Sequence, residues 1–299
     1  LTFKTAKDAD IKCENANIDA DTAMGTMLKY GSEGSKYFID HNILPKDIAA
    51  AHIDGDIHIH DKDFYMLTET CCQIDLLKLF HDGFSTGHGY LREPNDIRSY
   101  AALGCIAIQA NQNEMHGGQS IPNFDYSMAP GVKKTFRKQY FEQLAHFFRI
   151  ALGMKLEDAQ LLSREIRKDI PEDVTMSTTD AFGKALTGFL PQHQSSLGFE
   201  PITPELAARA HAYAVEAALD ATNEATYQAM EAFIHNLNTM NSRAGAQVPF
   251  SSINYGTDTS AEARMVMRNL LRATMSKNGK GETPIFPVQT FKVKVGVNY

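Results

Sequence analysis

His58-Ile59-His60-Asp61 gathers two imidazoles and a carboxylate in one short stretch. His-x-His on a strand is a common way to bind zinc or a similar ion. The same residues also make an ordinary polar strand end whose histidines satisfy buried partners. No further ligand stands at a supporting spacing, so His58 and His60 are expected near a reaction site without a metal. Cys71-Cys72 follows. Adjacent cysteines rarely bridge each other, because the geometry is strained. A buried cysteine is ordinarily a small hydrophobe, which accounts for Cys105 and for Cys72. A thiol between a strand and a helix start can instead donate a hydrogen atom or an electron. The third constellation is Met115-His-Gly-Gly-Gln-Ser120. Its glycines would let backbone N–H groups approach a ligand, as phosphate-binding loops do. Gly117, Gly118 and Gln119 are therefore a candidate phosphate loop, with a plain tight turn as the competing account. There is no Walker A motif, and Gly87-His-Gly89 is too short for a dinucleotide fingerprint. Arg92, Arg98, Lys133, Lys134, Arg137 and Lys138 make the later region basic, so an anion could sit among charges that otherwise face solvent.

The elements that must hold these groups alternate in a mixed way. Asp21-Thr22 offers an N-cap for a helix running towards His41. Leu44-Pro45-Lys46-Asp47 starts a short helix that Gly55 can end. Residues 56–61 alternate by twos, the period of a strand, with His58 and His60 on one face. A leucine-rich helix follows the cysteines and stops near Gly83. Residues 84–96 read as a loop, and an Ala-rich helix leads into the 115–120 motif, which joins it to a strand. Two helices are expected between 132 and 168. Residues 177–204 carry three prolines and no clear period, so a long surface excursion is expected there. Thr203-Pro204-Glu205 starts a further helix that continues towards Asn241. A strand over 247–254 and a helix bearing Met267, Leu270, Leu271 and Met275 complete the readable part. Strands separated by long helices imply an α/β fold, taken as one incomplete domain over 1–299.

With 43% hydrophobic and 22% charged residues in 299, the composition is that of a soluble globular protein. A net charge of −7 argues against general affinity for nucleic acid, though a nucleotide ligand needs only a local cluster or a helix N-terminus. No apolar run approaches a membrane span, and no signal peptide is evident. Four cysteines (Cys13, Cys71, Cys72, Cys105) make no disulfide framework, and the cytoplasm is the expected compartment. A start at Leu1 and a stop at Tyr299, soon after an apolar stretch at 283–294, suggest a fragment.

The order of the motifs is more specific than any one of them. Asn15-Ala-Asn-Ile-Asp-Ala-Asp21 precedes Ala51-His-Ile-Asp-Gly-Asp-Ile-His-Ile-His-Asp61 and Thr70-Cys-Cys-Gln-Ile-Asp-Leu76. Then come Gly83-Phe-Ser-Thr-Gly-His-Gly89, Gln109-Ala-Asn-Gln-Asn-Glu-Met-His-Gly-Gly-Gln-Ser120 and Pro122-Asn-Phe-Asp-Tyr126. Asn236-Leu-Asn-Thr-Met-Asn-Ser-Arg-Ala-Gly245 and Gln247-Val-Pro-Phe-Ser-Ser-Ile-Asn-Tyr-Gly256 close the series. Over nearly its whole length the chain resembles the anaerobic (class III) ribonucleoside-triphosphate reductases, within the glycyl-radical enzymes.

The resemblance implies an incomplete ten-stranded α/β barrel and reduction of ribonucleoside triphosphates to 2′-deoxyribonucleoside triphosphates by thiyl-radical chemistry. It implies a glycyl radical installed by a radical-SAM activating enzyme and passed to a cysteine inside the barrel. Formate or a dithiol protein would supply the electrons, and ATP and dNTP effectors would bind near a homodimer interface. Cys71 matches the second cysteine, which assists loss of the 2′-hydroxyl; a thiol can supply both a proton and a reducing equivalent. Cys72, His58, His60, His116 and Asn254 would belong to the wall of that site. Arg92 and Lys138 are the effector candidates by position. No cysteine follows Cys105. The thiyl cysteine, the C-terminal glycine segment, the zinc-binding cysteines and the N-terminal ATP-cone are therefore expected outside these residues, and the chain alone is expected to be inactive. The competing readings are a formate-lyase-like glycyl-radical enzyme, a metal hydrolase on His58 and His60, and a regulatory nucleotide-binding module.

Overall fold

The structure, a computed structural model, describes residues 22–65, 69–197, 202–243, 246–276 and 279–299. Cys13, the motif at 15–21 and Gly245 lie outside the described residues. Helices α1 (Ala23–Asn42) and α2 (Lys46–Asp54) lead through a single 3-10 turn, Lys62–Phe64, to strand β1 (Thr70–Gln73). Next come α3 (Leu76–Asp82), the short strands β2 (Phe84–Ser85) and β3 (Tyr90–Leu91), α4 (Ile97–Glu114) and β4 (His116–Ile121). Four helices follow: α5 (Phe124–Ala151), α6 (Leu156–Lys168), α7 (Asp180–Leu197) and α8 (Pro204–Thr239). Strand β5 (Ser251–Tyr255), α9 (Ala261–Ser276) and β6 (Val288–Phe291) end the described chain.

The helix starts are written in the sequence. Thr22 accepts from the Gly25 N–H, and Thr203 accepts from Leu206 with Pro204 in the first turn. Asp96 and Ser99 form a reciprocal capping box on α4. Gly55 ends α2 in the left-handed conformation, and Gly83 ends α3.

β1, β4, β5 and β6 form one parallel sheet in that spatial order, and β2 pairs antiparallel with β3. Parallel neighbours need crossovers, and the helices supply them. Ile121, Ile253 and Tyr255 enter one buried cluster with Ile108, Phe233 and Leu270 from α4, α8 and α9. Each such side chain contributes about 1.5–3 kcal/mol on full burial. A second cluster is built mainly from helices and joins Phe136 and Tyr140 of α5, Leu162 of α6, Phe182 of α7 and Ala210 of α8. The long helices α5 and α8 run through both. Ala207, Ala210, Ala214 and Ala218 put small side chains on one face of α8, which lets helices approach closely.

Four local expectations need correction. Residues 56–61 are not a strand: they form no ladder with any of the described residues, and Asp61 turns the chain with a left-handed φ of 50°. The 177–204 stretch is not a bare excursion, because α7 fills most of it and Phe182 and Leu186 are buried in the helical core. The loop at 84–96 contains the β2–β3 pair. The strand expected over 247–254 is the shorter β5. The mixed α/β class agrees with the expectation.

Candidate active site

The chemistry-bearing residues gather where β1 meets β4, and this is where the sheet is irregular. Thr70 pairs with His116, yet Cys72 pairs with Gln119. β1 thus advances two residues while β4 advances three. Both strands adopt left-handed backbone here: Cys71 has φ 54° and Gly117 has φ 87°. For a residue with a Cβ this is uncommon, and holding it costs on the order of 1–3 kcal/mol. Position 117 tolerates no side chain, since a Cβ there would lie 2.9 Å from Cys71 Sγ. Cys71 is exposed, a free thiol lying on the β4 backbone.

His116, at the start of β4, is oriented from outside the sheet. Its Nε2 lies 3.1 Å from Asp61 Oδ1, and its ring stacks on Phe64 with centroids 4.2 Å apart. Asp61 Oδ2 lies 3.2 Å from His60 Nε2, but without hydrogen-bond alignment. His60 Nδ1 lies in turn 3.4 Å from His58 Nε2. The result is a line of close contacts His58–His60–Asp61–His116, from an exposed end to an imidazole whose Nδ1 is buried without a hydrogen-bond partner among the described residues. A carboxylate on one ring nitrogen fixes the tautomer and leaves the other nitrogen as the acceptor. Asp61 is itself braced, because the turn that follows it is tied to α1. Lys62 Nζ reaches Asp40 at 2.7 and 2.8 Å, and Ser32 Oγ donates to Asp63 at 2.6 Å. The Lys62–Asp40 pair is nearly buried, so removing one partner would strand a charge.

The other side of β4 is anchored by Arg243. Its Nε donates to Gln112 O at 2.6 Å and its Nη2 to Met115 O. These are last-turn carbonyls of α4, where a cation is favoured. Burial pushes this guanidinium below its ordinary pKa without discharging it. Ser242 Oγ donates to Gln112 Oε1, and Asn111 Nδ2 to Gln119 Oε1. The helix end, the Ser242-Arg243 segment and the first residues of β4 are therefore one hydrogen-bonded unit.

The wall residues are placed unevenly. Cys71 and His116 meet at the irregular pairing, with His60 and His58 beyond them. Cys72 does not join them, because it packs half-buried against the helical side of the sheet and opens on a cleft between α3 and α4. Asn254 lies half-buried in β5, paired with Thr290 of β6 and one strand removed from β4. Gly117, Gly118 and Gln119 lie inside β4 rather than in a loop; the Gln119 N–H is bonded to Phe250 O at 2.8 Å, and Gly118 packs on the Phe250 ring. Lys138 is exposed on α5 and lines a basic cleft of about 690 Å³ with Lys133, Arg137 and Arg167; Arg92 is not among the lining residues. Among the described residues, no group of three or more His, Cys, Asp or Glu could hold a metal ion, and no helix is long and apolar enough to cross a membrane.

Asp61 and Arg243, which take part in this geometry, were given no role of their own from the sequence. Asp61 had a signal, since a carboxylate beside His60 can orient an imidazole. Arg243 had none, because its partners are backbone carbonyls distant in the chain.

The sequence profile of the family described as anaerobic ribonucleoside-triphosphate reductase matches residues 14–299. Proteins of that name are similar along the whole chain. The one from Enterobacteria phage T4 is 26% identical over 308 aligned residues, covering 100% of this chain and 39% of its own length. Those from Haemophilus influenzae and Escherichia coli are 24% and 23% identical, covering 95% and 98% of this chain. The chain spans about a third of the length of these curated relatives.

Proposed function

Since the chain belongs to the anaerobic ribonucleoside-triphosphate reductase family, we propose that it supplies one wall of a site where a ribonucleoside triphosphate is reduced to the 2′-deoxyribonucleoside triphosphate. The observation that carries this reading is Cys71, an exposed thiol in left-handed backbone that Gly117 alone can accommodate, one strand from the Asp61-oriented His116. In this role Cys71 protonates the departing 2′-hydroxyl and contributes a reducing equivalent. His116, with Nδ1 free to accept, holds the proton of a neighbouring thiol or hydroxyl. Asp61 is a positioning residue that acts through His116.

The full protein would carry the glycyl radical, its radical-SAM activating partner and the second cysteine, with formate or a dithiol as reductant and zinc in its C-terminal segment. A ten-stranded barrel is supported by the spatial order β1-β4-β5-β6, which follows chain order in one parallel sheet without reversal. For dNTP and ATP effectors, and for a homodimer surface beside them, the Lys138 cleft is the better candidate, and Arg92 is set aside.

The test is Cys71→Ala in the full-length protein, under strict anaerobic conditions with the activating enzyme. The glycyl radical should still form by electron paramagnetic resonance, while deoxynucleotide release falls to background. Near-normal turnover would remove Cys71 from the mechanism.

A further inference from the structure

Helix α9 carries Arg264, Arg268 and Arg272 at four-residue intervals, so all three stand on one face. All three line the same cleft, about 580 Å³, between α9 and the middle of α8. That volume is in the range of small-molecule sites. Like charges four residues apart destabilise an isolated helix, and this chain has acidic residues to spare, with 36 Asp and Glu against 29 Lys and Arg. Yet no carboxylate among the described residues lies within ion-pair distance of Arg264, Arg268 or Arg272. Asp220 is the one acid in the lining, and it is exposed. The acid on α9 itself, Glu262, is buried outside the lining, its Oε1 accepting from the Met176 N–H at 2.7 Å.

The arginine at the far end is held in place. Arg272 lies over the Tyr227 ring at 5.1 Å, and its Nη1 donates to Asn269 Oδ1 at 3.2 Å. Asn269 is fixed in turn by Asn223 Oδ1 at 2.9 Å. A guanidinium ordered by stacking and by a buried amide has already lost much of the freedom that binding would otherwise remove. Four residues of helix rise about 6 Å, so the three forks span about 12 Å along the cleft. One phosphate could meet only adjacent forks, whereas a chain of phosphates could meet all three. Arginine suits phosphate through its bidentate donors and weak hydration.

We infer that the α8–α9 cleft is a polyphosphate-binding site, taking the phosphate chain of a nucleoside triphosphate or free polyphosphate. It shares no lining residue with the Lys138 cleft, and it does not rest on the reading of Cys71.

The test is calorimetric titration of the full-length protein with inorganic tripolyphosphate at about 0.15 M salt, where exposed charges are largely screened. Wild type should show an equivalent of bound tripolyphosphate that Arg264→Gln/Arg268→Gln loses or weakens at least ~10-fold, the loss of one good charge-assisted contact. Lys138→Gln should retain it. The double variant should melt no lower than wild type, because like-charge repulsion along α9 is relieved. If it misfolds, Arg268→Lys decides, since it keeps the charge, loses the fork, and should weaken binding several-fold. ATP that displaces this equivalent identifies the nucleotide as the source, and failure to displace it identifies free polyphosphate. Equal stoichiometry and affinity in wild type and the arginine variants overturns the inference. So does binding that disappears at this salt in wild type. Neither result bears on whether Cys71→Ala abolishes turnover.

Discussion

One sheet contains two different kinds of strand pairing. β5 and β6 keep an unbroken register from Ser252 with Val288 to Tyr255 with Phe291. β1 and β4 slip by a residue, with Cys71 and Gly117 both at positive φ and a thiol lying where a Cβ would otherwise be. The regular pair is a plain parallel ladder, in which β5 alternates buried and half-buried residues and β6 lies mostly exposed beside it. The irregular pair has no such account, because with Cys71 and Gly117 both at positive φ its backbone is less favourable than a plain ladder. Strained backbone persists where surrounding structure over-determines it, and such places cluster at functional sites. Here the determinants are identifiable: Arg243 fixes the end of α4 from one side, and the Lys62–Asp40 tie fixes the turn bearing Asp61 and Phe64 from the other. The comparison predicts that substitutions will separate the two pairings.

The largest contrast should be in thiol reactivity. Cys71 is exposed at the irregular pairing, whereas Cys105 is buried under α8 and its thiol is pushed up from 9.0 to about 12 by burial. Burial both shields Cys105 and keeps it a thiol rather than the reactive thiolate. At about pH 8, peptide mapping after alkylation should therefore show the exposed Cys71 modified much faster than Cys105. Comparable rates would mean that the packing around α4 opens readily. The same shift fixes a sign in stability. The unfolded chain ionises Cys105 at a lower pH than the folded chain does. Its contribution is therefore intact below about pH 9 and is lost as pH rises towards about 12.

Asp61→Asn comes next. It keeps the size of the side chain and removes the charge that orients His116. Turnover of the full-length protein should fall up to about 10²-fold with KM nearly unchanged, as expected when a reacting group is misplaced rather than deleted. The pH–rate profile should change shape, and Asp61→Glu should restore part of the rate. An unchanged profile would leave Asp61 a structural brace only.

Gly117→Ala should cost about 1–3 kcal/mol by denaturant unfolding, since the new Cβ meets Cys71 Sγ at 2.9 Å and φ 87° is strained for alanine. Thr290→Ala, exposed in the regular pairing, should stay within about 0.5 kcal/mol. Equal effects would show that the slip carries no special constraint.

How much of this was legible in the sequence depends on whether the cause is local. Thr203-Pro204 and Pro45 with Gly55 predict helix ends because caps and φ limits act within a few residues. The period-two pattern at 56–61 misled because alternation describes side chains and says nothing about whether a partner strand exists. α7 was hidden because its two buried anchors, Phe182 and Leu186, acquire meaning only from α5 and α8. The motif at 115–120 forms strand β4, and its Gly117 makes room for the Cys71 thiol, a contact that depends on which strand lies alongside. The pairing of Asp61 with His116 likewise exists only in three dimensions.

The smallest effect should come from Cys72→Ala, and it tests the comparison most directly because Cys72 is the immediate neighbour of Cys71. The two differ in side rather than in type. Cys72 pairs in register with Gln119 and packs half-buried against the helix-covered cluster, while Cys71 sits exposed in the slip. Removing one sulfur from a half-buried position loses part of a small side chain's burial and leaves a gap that opens on the α3–α4 cleft, where solvent can fill it. The expected cost is about 1 kcal/mol or less, with turnover of the full-length enzyme within about 2-fold of wild type, a change too small to reflect loss of a reacting group. A large stability loss with normal turnover would still keep Cys72 on the packing side and would only mean that the cleft is tighter than its outline. Loss of turnover in Cys72→Ala at unchanged stability, alongside an active Cys71→Ala, would exchange the roles of the two thiols. The left-handed backbone at Cys71 would then be a consequence of the slip at Gly117 and not a means of presenting a reactive group.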